Sequence, residues 1–151
     1  MPANTSPIFA LTPNVNSATL VAATTANVKS DGTGTIGTDL LKAFTAGTAG
    51  SLVYSVRFSP CATTAATVTT ATTLRIFVSS LTSGDTSSAN TFLLQEISAA
   101  AQTADHSTLA TFFIEVPINK FINASYTILV STHIVIAAAT MWQATVFGGD
   151  F

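Results

Sequence analysis

Segments in which apolar and polar residues alternate with a period of two constrain this chain more than any other feature. The clearest spans residues 52–59, Leu-Val-Tyr-Ser-Val-Arg-Phe-Ser. Successive side chains of a β-strand point to opposite faces, so this pattern predicts a strand with one face in a core. We expect the inward face to carry Leu52, Tyr54, Val56 and Phe58, and the outward face Ser55, Arg57 and Ser59.

Four more segments carry the same strand signal and are rich in β-branched residues, which favour strands. They span residues 73–78, 112–116, 126–131 and 141–147. In the first we expect Leu74, Ile76 and Val78 to face inward. We expect Pro117 to end the second of these strands and Gly148-Gly149 to end the last. Weaker signals at 19–25, 40–45 and 92–97 bring the total to about eight strands.

Turn-forming stretches separate these segments, notably at residues 30–34, 46–50 and 83–85. Short strands between turn signals are typical of two packed antiparallel sheets. We therefore predict an all-β fold, a single jelly-roll-like β-sandwich of about eight antiparallel strands over residues 18–151.

The first 17 residues differ from the rest because Pro2, Pro7 and Pro13 punctuate them. Proline cannot pair in a central strand. The segment is either a frayed terminus or an extended arm, and we predict an extended N-terminal arm over residues 1–17. Its candidate contacts with a neighbouring subunit are Pro7, Ile8, Phe9 and Leu11.

Charged residues are scarce, at 8% of the 151 residues, against roughly 25% in an average soluble domain. The net charge of −2 excludes the usual basic nucleic-acid binder, and 48% hydrophobic content excludes a highly charged disordered chain. A lone Cys61 excludes a disulfide scaffold. The longest apolar run, residues 134–139, is far shorter than the roughly 18 residues of a membrane span. With no secretory signal pattern at the N-terminus, we expect synthesis in the cytoplasm of the producing cell.

Two motifs contain residue types used in catalysis or nucleotide binding. Residues 32–37 match G-x-G-x-x-G, but no strand and helix flank them as a dinucleotide site requires. We interpret them as a loop whose glycines supply positive φ. Residues 105–107 read Asp-His-Ser, yet adjacent side chains in an extended segment point apart. The only histidines are His106 and His133, so we predict no catalytic residues and no enzymatic activity.

Isolated acidic residues provide the remaining candidates for chemistry. Asp31 and Asp85 lie in glycine-containing loops that could bind calcium, although an Asx-type turn is the simpler reading. Glu96 and Glu115 could act as a glycosidase pair if the fold brought them together. Each lies in a predicted strand, where an outward-facing carboxylate is the default. We therefore predict no metal site and no cofactor.

The scarcity of charge suggests that other subunits cover the outside of the sandwich. Thr, Ser and Ala replace the usual Lys and Glu there, and such a surface loses less solvation energy on burial. Permanent subunit interfaces are depleted in charged residues in the same way. We predict a homo-oligomer, with Trp142, the only tryptophan, as a further candidate subunit contact.

Five stretches of the sequence carry a resemblance to a known group of proteins: residues 4–9, 29–35, 46–51, 74–77 and 147–151. Together they resemble small jelly-roll virion proteins of tailed bacteriophages, some of which are capsid decoration or cement proteins. The resemblance implies a structural protein on the capsid surface. Its partners would be further copies of itself, with a trimer expected, and the major capsid protein.

A tail or neck fibre, or a carbohydrate-binding module, is the alternative function. Sugar binding would need exposed aromatic residues grouped near one end of the sandwich. The candidates are Phe92, Phe112, Phe113, Phe121 and Tyr126, most of which we expect in the core.

Overall fold

The computed structural model describes residues 12–21, 29–107 and 112–151, which form β-strands and no helix. The strands are β1 Thr12–Val21, β2 Gly34–Ile36, β3 Leu41–Thr45, β4 Ser51–Ala62, β5 Thr67–Val68, β6 Thr72–Ser79, β7 Gly84–Thr86, β8 Thr91–Ala99, β9 Thr103–Ala104, β10 Ile114–Ile122, β11 Thr127–Thr132 and β12 Thr140–Asp150. The predicted all-β class is confirmed.

Eight of these strands form two four-stranded antiparallel sheets that pack as a sandwich. The first sheet has the order β1-β12-β4-β10 and the second the order β3-β11-β6-β8. Between consecutive strands of the two sheets the chain crosses to the other sheet at every step except from β6 to β8. This order is consistent with a jelly roll. The short pairs β2–β7 and β5–β9 lie outside the two sheets.

The hydrophobic core lies between the inner faces of the two sheets. Its members alternate along each strand with outward residues, as the period of two requires. Fully buried members include Phe44, Val53, Val56, Phe58, Leu74, Ile76, Ile128, Trp142 and Val146. Burying side chains of this size contributes roughly 1.5–3 kcal/mol each, so this layer drives folding.

Because of a β-bulge at Tyr54, the prediction of which β4 side chains face inward is wrong for part of the strand. Phe147 pairs with Ser55 and Gly148 pairs with Val53, so Tyr54 is an extra residue in its strand. An extra residue reverses which side chains face inward beyond it. Val56 and Phe58 are buried as expected, whereas Tyr54 is 46% exposed and Val53 is buried in its place.

Two residues that we expected to end strands lie inside them instead. Pro117 is within β10, where it pairs with Ser55 at the outer edge of the first sheet. An edge strand tolerates proline because one side of its backbone needs no partner. Gly148 continues β12 past the bulge, and a Cβ there would lie 2.8 Å from the carbonyl oxygen of Leu52. Only glycine permits that approach of the two backbones.

The two sheets differ in what covers their outer faces. On the second sheet, Phe77 and Leu129 point away from the core and form a second buried cluster with Leu40. Ile36 of β2 packs against this cluster. The chain thus covers part of the outer face of its second sheet itself.

The predicted boundary of the N-terminal arm differs from the structure. Residues 12–17 belong to β1, which pairs with β12 from Thr12↔Asp150 to Val21↔Met141. β1 is an edge strand, which accommodates Pro13. The remaining predicted arm, with Pro7, Ile8, Phe9 and Leu11, lies outside the described residues.

Asp150 links three parts of the fold at the end of β12. Asn14 Nδ2 donates to its two carboxylate oxygens at 3.0 and 2.9 Å. The Gly47 backbone N–H donates at 3.3 Å, and the Ser51 hydroxyl donates as well. Partial burial raises the pKa of Asp150, but the hydrogen bonds from Asn14, Ser51 and Gly47 outweigh it, so that the pKa lies below its usual value.

We predict that Asp150→Asn destabilises the fold and flattens its acid dependence. A pKa that is lower in the folded than in the unfolded chain stabilises the fold above about pH 4, and this stabilisation is lost as the pH falls further. At neutral pH the variant should lose roughly 1–3 kcal/mol of unfolding free energy. Urea unfolding at pH values from 7 to 2.5 measures both effects. Parallel curves for the two proteins below pH 4 would contradict the assignment.

We also predict that Trp142→Ala costs about 3–5 kcal/mol of unfolding free energy, since it removes the largest buried side chain. Phe121→Ala is the matched control, because Phe121 is 69% exposed and surface substitutions change stability by about 0.5 kcal/mol or less. Chemical denaturation followed by circular dichroism measures both. Equal losses in the two variants would argue against the burial of Trp142.

Candidate interaction surfaces

The outer face of the first sheet carries most of the exposed aromatic side chains, and we call it the aromatic face. Alternation turns Phe147 outward because Trp142, Ala144 and Val146 point inward, and the bulge turns Tyr54 outward. The members of the aromatic face are Val15, Tyr54, Arg57, Phe113, Glu115, Phe121 and Phe147. Phe113 is 52% exposed, Val15 is 56% exposed and Phe121 is 69% exposed.

Arg57 contacts two aromatic rings and a carboxylate near the middle of the aromatic face. Its Cζ lies 4.6 Å from the centroid of Phe113 and 5.3 Å from that of Phe147. Its Nη2 and Nε donate to Glu115 Oε2 at 2.8 and 3.3 Å. The Ser55 hydroxyl donates to Glu115 Oε1 at 2.8 Å. These contacts hold the guanidinium in one orientation and leave the pair without net charge.

The same contacts fix the ionisation of Glu115. The Arg57 side chain and, secondly, the Ser55 hydroxyl lower the pKa of Glu115 below its usual value. The carboxylate is therefore ionised at neutral pH and remains paired with the guanidinium.

A shallow hollow lies beside Tyr54 on the aromatic face. Pro13, Tyr54, Gly148 and Gly149 line it. The two consecutive glycines leave the backbone bare, so the Tyr54 ring forms the wall of the hollow.

Exposed apolar side chains also occur away from the aromatic face. Phe92 and Leu93 are exposed on β8, an edge strand of the second sheet. A groove of about 270 Å³ runs between β8 and β10 and is lined by Leu94, Lys120, Phe121 and Tyr126, among others. At one end of the sandwich, Ile134 and Val135 are about half exposed.

The aromatic residues considered for sugar binding lie mostly outside the core. Phe92, Phe112, Phe113 and Phe121 are all exposed, although Phe112 also contacts the ring of the buried Trp142, and Tyr126 packs against the core. The expectation that most of them are buried is wrong. Phe113 directly precedes β10 and Phe121 lies within it, and alternation with the inward Val116 and Ile122 turns both away from the core.

Trp142 is not accessible to a partner, contrary to the prediction that it forms a subunit contact. It is fully buried in the core, where Phe112 makes an edge contact with its ring at 6.5 Å between centroids. A terminal strand lies at the margin of a sheet in many folds, but β12 pairs on both sides, with β1 and β4. Its inward side chains therefore lie in the centre of the core.

A polar cluster around Arg75 lies on the outer side of the second sheet. Arg75 Nε donates to Glu96 at 2.6 Å, and Nη1 donates to the Lys29 carbonyl at 3.4 Å. Nη2 lies 3.3 Å from His133 Nδ1, within reach of an N–H donated by the guanidinium, which has no acceptor of its own. Ser131 lies in the same row of the sheet, and its hydroxyl has no hydrogen-bond partner among the described residues.

This cluster contains serine, histidine and glutamate but not the contacts of a catalytic triad. A triad needs the histidine to join the nucleophile to the acid. Here Arg75 separates Glu96 from His133, and the Ser131 hydroxyl does not contact the imidazole. The cluster holds the chain near Lys29 and His133 against the sheet. The sequence did not suggest it, since its members come from four distant segments.

The sequence motifs have structural roles. Gly32 and Gly37 have φ values of +83° and +98°, as expected for a glycine loop, and the strand β2 lies between them. Asp31 accepts from the Thr33 N–H at 3.0 Å in the expected Asx turn. Asp85 accepts instead from the Thr35 hydroxyl at 2.7 Å.

Residues 105–107 form a turn centred on the aspartate. Asp105 Oδ1 accepts from the N–H and the hydroxyl of Ser107 at 2.8 and 2.7 Å, and His106 Nδ1 lies 3.7 Å away. The carboxylate, rather than the imidazole, thus joins the other two side chains, which is the wrong order for a triad.

Glu96 and Glu115 do not come together, because they lie on opposite outer faces of the sandwich. Each pairs with an arginine of its own chain, Arg75 and Arg57 respectively. Within residues 12–21, 29–107 and 112–151, no three residues of His, Cys, Asp or Glu are grouped to hold a metal ion. The same part of the chain contains no helix of sufficient length and hydropathy to cross a membrane.

Comparison with models of known protein families and with curated protein sequences found no match.

Proposed function

We propose that this protein is a structural component of a tailed-bacteriophage virion, a capsid decoration or cement protein that binds the assembled shell at capsomer boundaries. The observation that carries the proposal is the distribution of exposed apolar side chains over several sides of one small sandwich. They lie on the aromatic face, on β8, and at the end that carries Ile134 and Val135. A lattice subunit needs several contact surfaces, whereas a ligand-binding module needs one.

The state of the charged residues supports the same proposal. Arg57 pairs with Glu115, Arg75 pairs with Glu96, and Asp150 accepts hydrogen bonds from its own chain. Covering such groups costs less than covering solvated, unpaired charges. A surface of this kind suits permanent contacts with further copies and with a major capsid protein.

The mechanism would be mechanical rather than chemical, and the proposal includes no catalytic activity and no cofactor. A protein that binds only the assembled shell stabilises it by mass action. Each added contact enlarges the interface that resists the pressure of packaged DNA.

Quantitative mass spectrometry of purified particles of the encoding phage tests the proposal. We expect hundreds of copies per particle, as for a coat on the capsid surface. Between a few and a dozen copies would instead indicate the neck or tail. Absence from the particle would contradict a virion function altogether.

A carbohydrate-binding fibre module is the second candidate, and the exposure of Phe113 and Phe121 favours it. Aromatic rings beside a fixed Arg–Glu pair resemble a platform for a sugar ring. If decoration is the function, a glycan array probed with the full chain should show no binding. Binding that Phe113→Ser abolishes and Phe92→Ser leaves unchanged would favour the sugar-binding candidate. Both phenylalanines are 52% exposed, so the two variants are matched.

A further inference from the structure

We infer that the aromatic face pairs with the same face of a second copy of this chain about a two-fold axis. The inference goes beyond the proposed function, because such a dimer would form whether or not a capsid is present. The dimer would use this one surface, and β8 and the loop of Ile134 and Val135 would stay free for other contacts.

The arrangement of residues on the aromatic face is that of a protein–protein interface. Arg57 and Phe147 lie on β4 and β12, the two central strands of the first sheet. Arginine and aromatic residues are enriched at the centre of interfaces and among their strongest contributors. Small polar residues lie beside them on the same face. Thr145 and Ser17 share the cross-strand row of Arg57. Ser59, Gln143 and Thr19 form the next outward-facing row.

The charges of the aromatic face select a neutral partner. The chain has five basic and seven acidic residues, and the structure describes all of them. Only Arg57 and Glu115 lie on this face, paired at 2.8 Å. A partner with unpaired charge would lose solvation there without compensation. A second copy of the face brings the same apolar groups and the same neutral pair.

The area of the aromatic face is sufficient for a dimer. Its strands have nine to twelve residues, which gives a face of about 19 by 33 Å at standard strand spacings. Two copies would bury about 1,200 Å², the lower end of the range for specific interfaces. Pairing of sheet faces about 10 Å apart is also an ordinary packing mode.

Pairing through the face is favoured over pairing through the β10 edge of the same sheet. The edge strand β10 contains Pro117, an irregular register between Pro117 and Lys120, and the lysine itself. Each of these features obstructs the addition of another strand. The outer face of the second sheet is not equivalent, since the Phe77 and Leu129 cluster is covered by its own chain.

Sedimentation velocity of the purified full chain over a range of concentrations tests the inference. We expect a species of twice the 15.5 kDa chain mass. Phe113→Ser should raise the dimer dissociation constant at least tenfold, and Phe92→Ser, at equal exposure on β8, should change it less than twofold. A monomer at all concentrations, a trimer, or equal effects of the two variants would overturn the inference.

A second matched pair avoids any variant that alters packing. Gln143 is exposed on the aromatic face and Gln95 is exposed on β8. Gln143→Lys should weaken the dimer at least tenfold because it places a charge on each of two apposed faces, and Gln95→Lys should not. Weakening by Gln95→Lys alone would overturn the inference. A dimer that is absent from virions would contradict the proposed function only, and a monomer that coats capsids would contradict this inference only.

Discussion

The structure depends on the burial of the inner faces of two sheets, because a strand that turns alternate side chains inward necessarily presents the others outward. Trp142, Ala144 and Val146 are buried in β12, so Phe147 and Gln143 are directed out of the first sheet. The second sheet faces the same constraint and meets it differently, with Phe77 and Leu129 covered by Leu40 and Ile36. The aromatic face therefore stays exposed, whereas the chain itself covers part of the other outer face.

Irregularities in the strands then decide which residues occupy that surface. A regular β4 would have buried Tyr54, whereas the bulge turns its ring outward and places Val53 in the core. Gly148 permits the close approach of β12 and β4 at the same place. The bulge and the glycine therefore shape the Tyr54 hollow without weakening the core beneath it.

Alternation predicted the class of fold and the positions of the long strands, because hydrophobic periodicity is local. It placed Val56, Phe58, Leu74 and Ile76 in the core correctly. It missed the reversal at Tyr54, since a bulge arises from the pairing of strands distant in sequence. Pro117 and Gly148 were misread as strand ends for the same reason, as their tolerance depends on the neighbouring strand. The Arg57 and Arg75 clusters join segments far apart in sequence, which no pattern within one segment reveals.

The scarcity of charge makes the free protein prone to association, but it is favourable once the protein is assembled. With a net charge of −2, free copies have little mutual repulsion to keep them apart. Apolar side chains exposed on several sides favour association further. The same properties become favourable once neighbours cover those sides, because few charges need to leave water. A chain of this composition is therefore best suited to a role in which its surfaces are permanently occupied, and pairing of the aromatic faces would remove one of them from water.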